Sequence, residues 1–103
     1  MDNSLKQIAE ALNEEFKPEK IFLFGSRARG DNDQQSDYDL LVVVSDSSLS
    51  PLERRIKARQ VLRGIEQTFD VFVYTQREFD EWKDEFGSIP ETALNEGKEL
   101  SVG

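Results

Sequence analysis

Apolar residues recur along this chain at two different periods, which separate helices from strands. Over residues 4–16 they lie three and four positions apart, which predicts an amphipathic helix with Ser4 as its N-cap. Short, nearly unbroken apolar runs at 21–24, 38–44 and 69–75 predict buried strands. The pattern therefore predicts a protein that combines helices and strands.

Three further helices are predicted from their start and stop signals. Pro51 suits the first turn of a helix, which we expect to run to about Gln67. Shorter helices are expected within 76–86 and over 90–96, the latter ended by a glycine. The apolar side chains expected on the buried face of the long helix are Leu52, Ile56, Val61, Leu62 and Ile65, and its charged side chains Glu53, Arg54, Arg55, Lys57 and Arg59 are expected to face solvent.

The order of these elements predicts a layered α+β fold (α/β layered) with a small mixed sheet flanked by helices. The segment between the first two strands is too short for a crossover helix, so those strands are expected to be antiparallel. Because strands alternate with helices, we expect one sheet, covered mainly on one side. No repeat or linker divides the chain, and residues 1–103 are expected to form a single domain.

Composition and charge exclude several classes of function. The chain has no cysteine and no histidine, so a bound metal must be held by oxygen atoms, which favours magnesium or manganese. A net charge of −8 disfavours direct nucleic-acid binding. No apolar run is long enough to cross a bilayer, and the N-terminus lacks the pattern of a signal peptide. We therefore expect a cytoplasmic protein with no membrane association.

Three aspartates are placed where strands begin. Asp37 and Asp39 lie two residues apart, so a strand would project both carboxylates from one face, with their Cα atoms ~6–7 Å apart. Asp70 begins the third predicted strand, and if the second and third strands are neighbours, the three carboxylates converge. Such a cluster would repel itself without a cation. The alternatives are that the first two face solvent at a loop end, and that Asp70 meets water or an arginine.

Gly25 and Ser26 directly follow the first predicted strand. Glycine lets the backbone approach a ligand closely, and free amides with a serine hydroxyl can bind phosphate oxygens, although an ordinary turn is the alternative. The spacing is neither that of a Walker A loop nor that of a dinucleotide-binding loop. Arg27 and Arg29 bring positive charge into this segment, and we expect one of them to contact phosphate, unless they pair with nearby aspartates.

Together, Gly25-Ser26, ten intervening residues, the pair Asp37-x-Asp39 and the later Asp70 resemble the DNA polymerase β-like nucleotidyltransferase superfamily. The stretch FGSRARGDNDQQSDYDLLVVV is most similar to the minimal nucleotidyltransferase (MNT) family of bacteria and archaea. The resemblance implies a polymerase β palm-like fold in which the three aspartates hold two Mg²⁺ ions and Gly25 and Ser26 hold the phosphates of ATP. It also implies that an acceptor hydroxyl attacks the α-phosphorus, with Asp70 helping to deprotonate it.

The acceptor is expected to be a partner protein. Larger members of the superfamily carry an extra acceptor-binding domain, for which 103 residues leave no room. Members of this size are commonly paired with a helical HEPN ribonuclease toxin. The resemblance thus implies an antitoxin that adenylylates a tyrosine of an HEPN toxin in a hetero-oligomer. The alternatives are an antitoxin that neutralises its toxin by binding alone, and nucleotidyl transfer to a small molecule.

Overall fold

The computed structural model describes residues 3–101, and its elements follow the predicted order with one addition, a two-residue strand near the end of the described chain. The polar segment after the first strand begins with the single helical turn that its sequence allows. The elements are α1 (Asn3–Phe16), β1 (Lys20–Phe24), α2 (Ser26–Arg29), β2 (Tyr38–Val44), α3 (Pro51–Val61), β3 (Phe69–Thr75), α4 (Gln76–Trp82), α5 (Ile89–Glu96) and β4 (Lys98–Glu99).

Two local predictions are wrong, and one strand was not predicted. Ser4 lies inside α1, so it is not the N-cap. Helix α3 ends at Val61, well before Gln67, and Gly64 follows with φ of +97°. Strand β4 was not predicted because both of its residues are charged and exposed. No helix within residues 3–101 combines the length and the apolarity needed to cross a membrane.

The four strands form one mixed sheet in the order β3-β2-β1-β4. Strand β1 is antiparallel to β2, as predicted, whereas β2 and β3 are parallel, because α3 carries the chain back between them. Strand β2 therefore lies inside the sheet and pairs along its length on both sides. The mixed sheet predicted from the order of elements is confirmed.

Helices cover both faces of this sheet, so the prediction of one covered face is wrong. One core cluster joins α1 and α3 to alternate residues of the central strands, including Leu40 and Val42. A second cluster, on the opposite face, joins Phe79 of α4 and Ala93 of α5 to Leu41 and Val43. The apolar runs of the strands already indicate that both faces are covered, because consecutive apolar residues without alternation are typical of strands buried on both faces.

The first two turns of α3 bury a different face from the one predicted, whereas Leu62 is buried as predicted and Val61 and Ile65 pack against the core. The buried residues of the helix are Arg54 and Ala58, followed by Leu62 at the C-cap, whereas Leu52 and Ile56 are 68% and 47% exposed. The guanidinium of Arg54 is buried because its charge is matched: it donates to Glu78 Oε1 at 2.7 Å and to the carbonyls of Leu49 and Val73 at 3.0 and 3.2 Å.

Candidate active site

Two of the three predicted carboxylates lie side by side at one end of the sheet. In the parallel ladder of β2 and β3, Asp39 is the direct register partner of Asp70. Both side chains belong to the face covered by α4 and α5. Residues two apart in a strand share a face, and Leu41 and Phe72, which follow the two aspartates at that spacing, pack there. Neighbouring strands are ~4.8 Å apart, which brings these two carboxylates together. The prediction that β2 and β3 are neighbours is confirmed.

Asp37 precedes β2 by one residue and is exposed. Within residues 3–101, neither its carboxylate nor that of half-buried Asp39 has an ion pair or a hydrogen bond. Burial raises the pKa of Asp39, and the negative charges of Asp70 and then Asp37 raise it further, while Arg29 opposes them. The negative charge of Asp39 is therefore costly, because burial and two neighbouring carboxylates disfavour it more than Arg29 favours it.

The side chains do not, however, converge as closely as predicted. In the part of the chain that the structure describes, no three acidic, histidine or cysteine side chains stand close enough to hold a metal ion. One reason is that Arg55 engages Asp70: Nη2 lies 2.6 Å from Oδ1, and the guanidinium stacks 4.5 Å from the centre of the Phe72 ring. The Arg55 side chain is 45% exposed, as predicted, and its contact with this carboxylate was not predicted.

Gly25 fixes the position of Asp39 from the neighbouring strand. Its backbone has φ of +73° and ψ of −157°, a region that is essentially restricted to glycine. A Cβ atom at this position would lie 2.2 Å from Oδ2 of Asp39, so the carboxylate rests against the glycine backbone. Helix α2 begins at Ser26. The amides of Ala28 and Arg29 donate to the carbonyl of Gly25 at 3.1 Å, whereas those of Ser26 and Arg27 precede the first helical hydrogen bond.

Arg27 braces the loop that precedes β2. Its Nε donates to the carbonyl of Ser36 at 2.9 Å, Nη2 donates to the carbonyl of Gln34 at 3.4 Å, and the guanidinium lies 3.9 Å from the centre of the Tyr38 ring. Because loop carbonyls and an aromatic face occupy this guanidinium, it holds the loop in place.

Arg29 is the arginine whose charge acts on the Asp39 carboxylate. Its Nε donates to Asp31 Oδ2 at 3.2 Å and its Nη1 to Glu96 Oε2 at 3.4 Å, and its side chain stays 44% exposed. Its positive charge lowers the pKa of Asp39, against the other influences on that group. Glu96 was not singled out in the sequence, since only the packing of α5 against β1 brings it here.

The chemistry of this donor set fits a hard divalent cation. Its ligands would be carboxylate oxygens alone, which is the set that Mg²⁺ and Mn²⁺ prefer. Asp37 and Asp39 have no cationic partner among residues 3–101, and the raised pKa of Asp39 marks a negative charge that a cation would stabilise. Asp70 offers Oδ2 while Arg55 binds Oδ1.

Comparison with known proteins finds nucleotidyltransferases and related folds. A putative-nucleotidyltransferase structure from Sulfolobus solfataricus is 31% identical, with a TM-score of 0.60, over 76% of this chain and 69% of that chain. A candidate protein adenylyltransferase of Methanocaldococcus jannaschii is 32% identical over 57 residues, which span 55% of this chain and only 56% of that protein. A toxin–antitoxin complex with AMP-PNP shares the fold, with a TM-score of 0.65 at 22% identity, over 99% of this chain and 75% of that chain.

The match to a family model covers almost the whole chain. The model of the nucleotidyltransferase domain aligns with residues 5–101, which include the glycine turn and the aspartates. The family resemblance predicted from the sequence is thereby confirmed. The chain belongs to the nucleotidyltransferase domain family.

Proposed function

We propose that this protein transfers AMP from ATP to a hydroxyl group of a partner protein in a Mg²⁺-dependent reaction. The observation that carries the proposal is the register pairing of Asp39 with Asp70 beside Gly25, whose missing side chain leaves room for the Asp39 carboxylate. A structural role does not require two carboxylates to face each other without a shared cationic partner, since that arrangement costs stability.

Each residue of the site has a proposed role. Asp37, Asp39 and Asp70 hold Mg²⁺, two ions when the nucleotide is bound. Bound Mg²⁺ would neutralise charge on the triphosphate and stabilise the charge that develops at the attacked phosphorus. Gly25 and Ser26 contact the phosphates through backbone amides and the serine hydroxyl. Of the two arginines we assign the phosphate contact to Arg29, because the contacts of Arg27 are with loop carbonyls and Tyr38.

The proposed transfer exchanges one bond at phosphorus for another. The acceptor oxygen forms a bond to the α-phosphorus, the bond from that phosphorus to the oxygen bridging to the β-phosphorus breaks, and pyrophosphate leaves. The role that we assign to Asp70 is to accept the hydroxyl proton through Oδ2, the oxygen that Arg55 leaves free. Without a histidine in the chain, catalysis would rest on positioning and charge stabilisation.

The proposed acceptor is a tyrosine of an HEPN-type ribonuclease toxin, and the protein would act as the antitoxin in a cytoplasmic hetero-oligomer. Two relatives support this proposal. One is described as a candidate protein adenylyltransferase, and the other is part of a toxin–antitoxin complex that contains AMP-PNP. The acidic surface of this chain would favour the approach of a basic, RNA-cleaving partner.

Isosteric substitution tests the site. Asp39→Asn and Asp70→Asn remove a charge without changing side-chain volume, and Asp84→Asn makes the same change at an exposed aspartate after α4 that is not one of the three. We expect the first two to abolish Mg²⁺-dependent AMP-PNP binding in calorimetry and AMP transfer to a co-purified partner in mass spectrometry, while Asp84→Asn retains both. Wild-type transfer by Asp39→Asn would show that the site is misassigned.

The same variants separate the alternatives. If Asp39→Asn loses transfer but neutralises the partner as well as wild type, then neutralisation occurs by binding. If purified protein instead adenylylates compounds from an antibiotic panel and leaves the partner unmodified, then the acceptor is a small molecule.

A further inference from the structure

A groove runs between α3 and the outer edge of β3, and we call it the α3–β3 groove. Its volume is about 780 Å³. Arg55 and Arg59 of α3 and Arg63 of the following turn line one wall, while residues 68–71 line the other. Asp70 belongs to this second wall, so the groove opens directly onto a carboxylate of the candidate active site.

The groove is positively charged on a protein that is otherwise strongly acidic. The whole chain has 21 acidic and 13 basic residues. Among residues 3–101, Asp70 is the only carboxylate that lines the groove, and Arg55 already pairs with it. Arg59 and Arg63 are exposed, and within residues 3–101 neither guanidinium makes an ion pair or a hydrogen bond. Because acidic partners are abundant elsewhere on the chain, two unpaired arginines on one wall indicate an anionic ligand.

The opposite wall offers backbone hydrogen bonds. Strand β3 pairs with β2 on one side and has no strand neighbour on the other among the described residues. The outward N–H and C=O groups of an edge strand can pair with an added extended peptide. Partly exposed Ile56 and Phe69 lie in the same groove and add apolar contact area. An extended polypeptide with acidic side chains matches all three features.

We propose that the α3–β3 groove binds an acidic, extended segment of the acceptor protein and leads its hydroxyl-bearing residue to Asp70. This inference rests on the proposed function and specifies the chemistry of its acceptor. A peptide fits better than a nucleic acid, because nucleic-acid affinity grows with the number of phosphates neutralised, and the rest of this surface repels them. The net charge of −8 thus describes the protein as a whole, while the groove has the opposite sign.

The test is an NMR titration of the ¹⁵N-labelled protein with two synthetic peptides. One contains a tyrosine flanked by aspartate and glutamate, and the other has lysine at every acidic position. We expect the acidic peptide alone to shift the amides of residues 68–71. The double variant Arg59→Glu with Arg63→Glu should weaken its binding about tenfold, because each reversal replaces an attraction with a repulsion. Arg77→Glu on α4 is the matched control, since Arg77 is exposed and does not line the groove.

Three outcomes would overturn the proposal: no amide shifts at β3 with the acidic peptide, equal binding of both peptides, or undiminished binding by the double variant. A single-stranded RNA oligonucleotide that bound this groove more tightly than the acidic peptide would also overturn it, in favour of nucleic acid. Calorimetry with Mg²⁺ and AMP-PNP is done separately on each protein. Failure of wild type to bind the nucleotide would refute the proposed function, while the peptide titration would still decide the groove.

Discussion

Replacing Gly25 with alanine is the sharpest test of how the site is built, because the added methyl group would both strain the backbone and displace the Asp39 carboxylate. The backbone at Gly25 lies in a region that other residues occupy at a cost of about 1–3 kcal/mol. In addition, the new Cβ would lie 2.2 Å from Oδ2 of Asp39, where an ordinary contact needs at least 3.4 Å. The carboxylate must therefore move by about 1 Å or more.

The backbone strain should lower stability, and the displaced carboxylate should lower nucleotide affinity. The Asp39 carboxylate makes no hydrogen bond within the described chain, so it can move away at little cost, and the loss of stability should stay at about 1–3 kcal/mol. Function should suffer more, because a misplacement of ~1 Å at a reacting centre can reduce a rate about 100-fold. We expect Gly25→Ala to unfold at moderately lower urea concentration and to lose most of its Mg²⁺-dependent AMP-PNP affinity in calorimetry.

Gly87→Ala is the matched control. Gly87 also has a positive φ, +83°, but a Cβ there would have no atom within 4 Å. It should lose about 1–2 kcal/mol of stability through backbone strain alone and keep the affinity of wild type for the nucleotide. If Gly25→Ala shows the stability loss and yet binds Mg²⁺ and AMP-PNP as wild type does, the Asp39 carboxylate is not where the nucleotide and its metal bind.

Two further predictions concern the buried ion pair of α3. Arg54→Met should cost about 2–3 kcal/mol of unfolding free energy in urea, which is less than for a fully buried pair because the Glu78 side chain is 32% exposed. Arg77→Met removes an exposed ion pair and should cost under about 0.5 kcal/mol. Equal losses in the two variants would contradict the prediction. Burial alone would raise the pKa of Glu78, but hydrogen bonds from Arg54 and from the Thr75 amide, with the charge of Arg54, lower it overall. Since the folded pKa lies below the unfolded one, the pair stabilises the protein above about pH 4.5 and this contribution disappears as pH falls through the folded value. Unfolding free energies measured from pH 6 to 3 should therefore fall less steeply for Glu78→Gln than for wild type, and parallel curves would refute the prediction.

What the sequence could predict here was local or periodic. The bounds of β2 and β3 match the prediction because each is a short apolar run bounded by polar residues. The pairing of Asp39 with Asp70 follows from the same runs, since two strands joined through α3 lie parallel and both aspartates stand at the second position of their strand. A strand of two charged residues, such as β4, gives no comparable signal, because only its pairing with β1 defines it.

What the sequence could not predict depended on partners far away along the chain. The apolar residues Leu52 and Ile56 favoured one face of α3, but the helix buries Arg54, whose carboxylate partner lies 24 residues further on. That rotation also carries Arg55 to Asp70. A charged residue on an amphipathic helix is read as exposed unless its partner is known, and an average charge conceals a local patch of opposite sign. The buried Arg54 and the basic groove were therefore missed for the same reason, because both depend on which residues the fold brings together. Once the buried face of α3 is known, its arginines are seen to line a groove beside the carboxylates of an acidic protein.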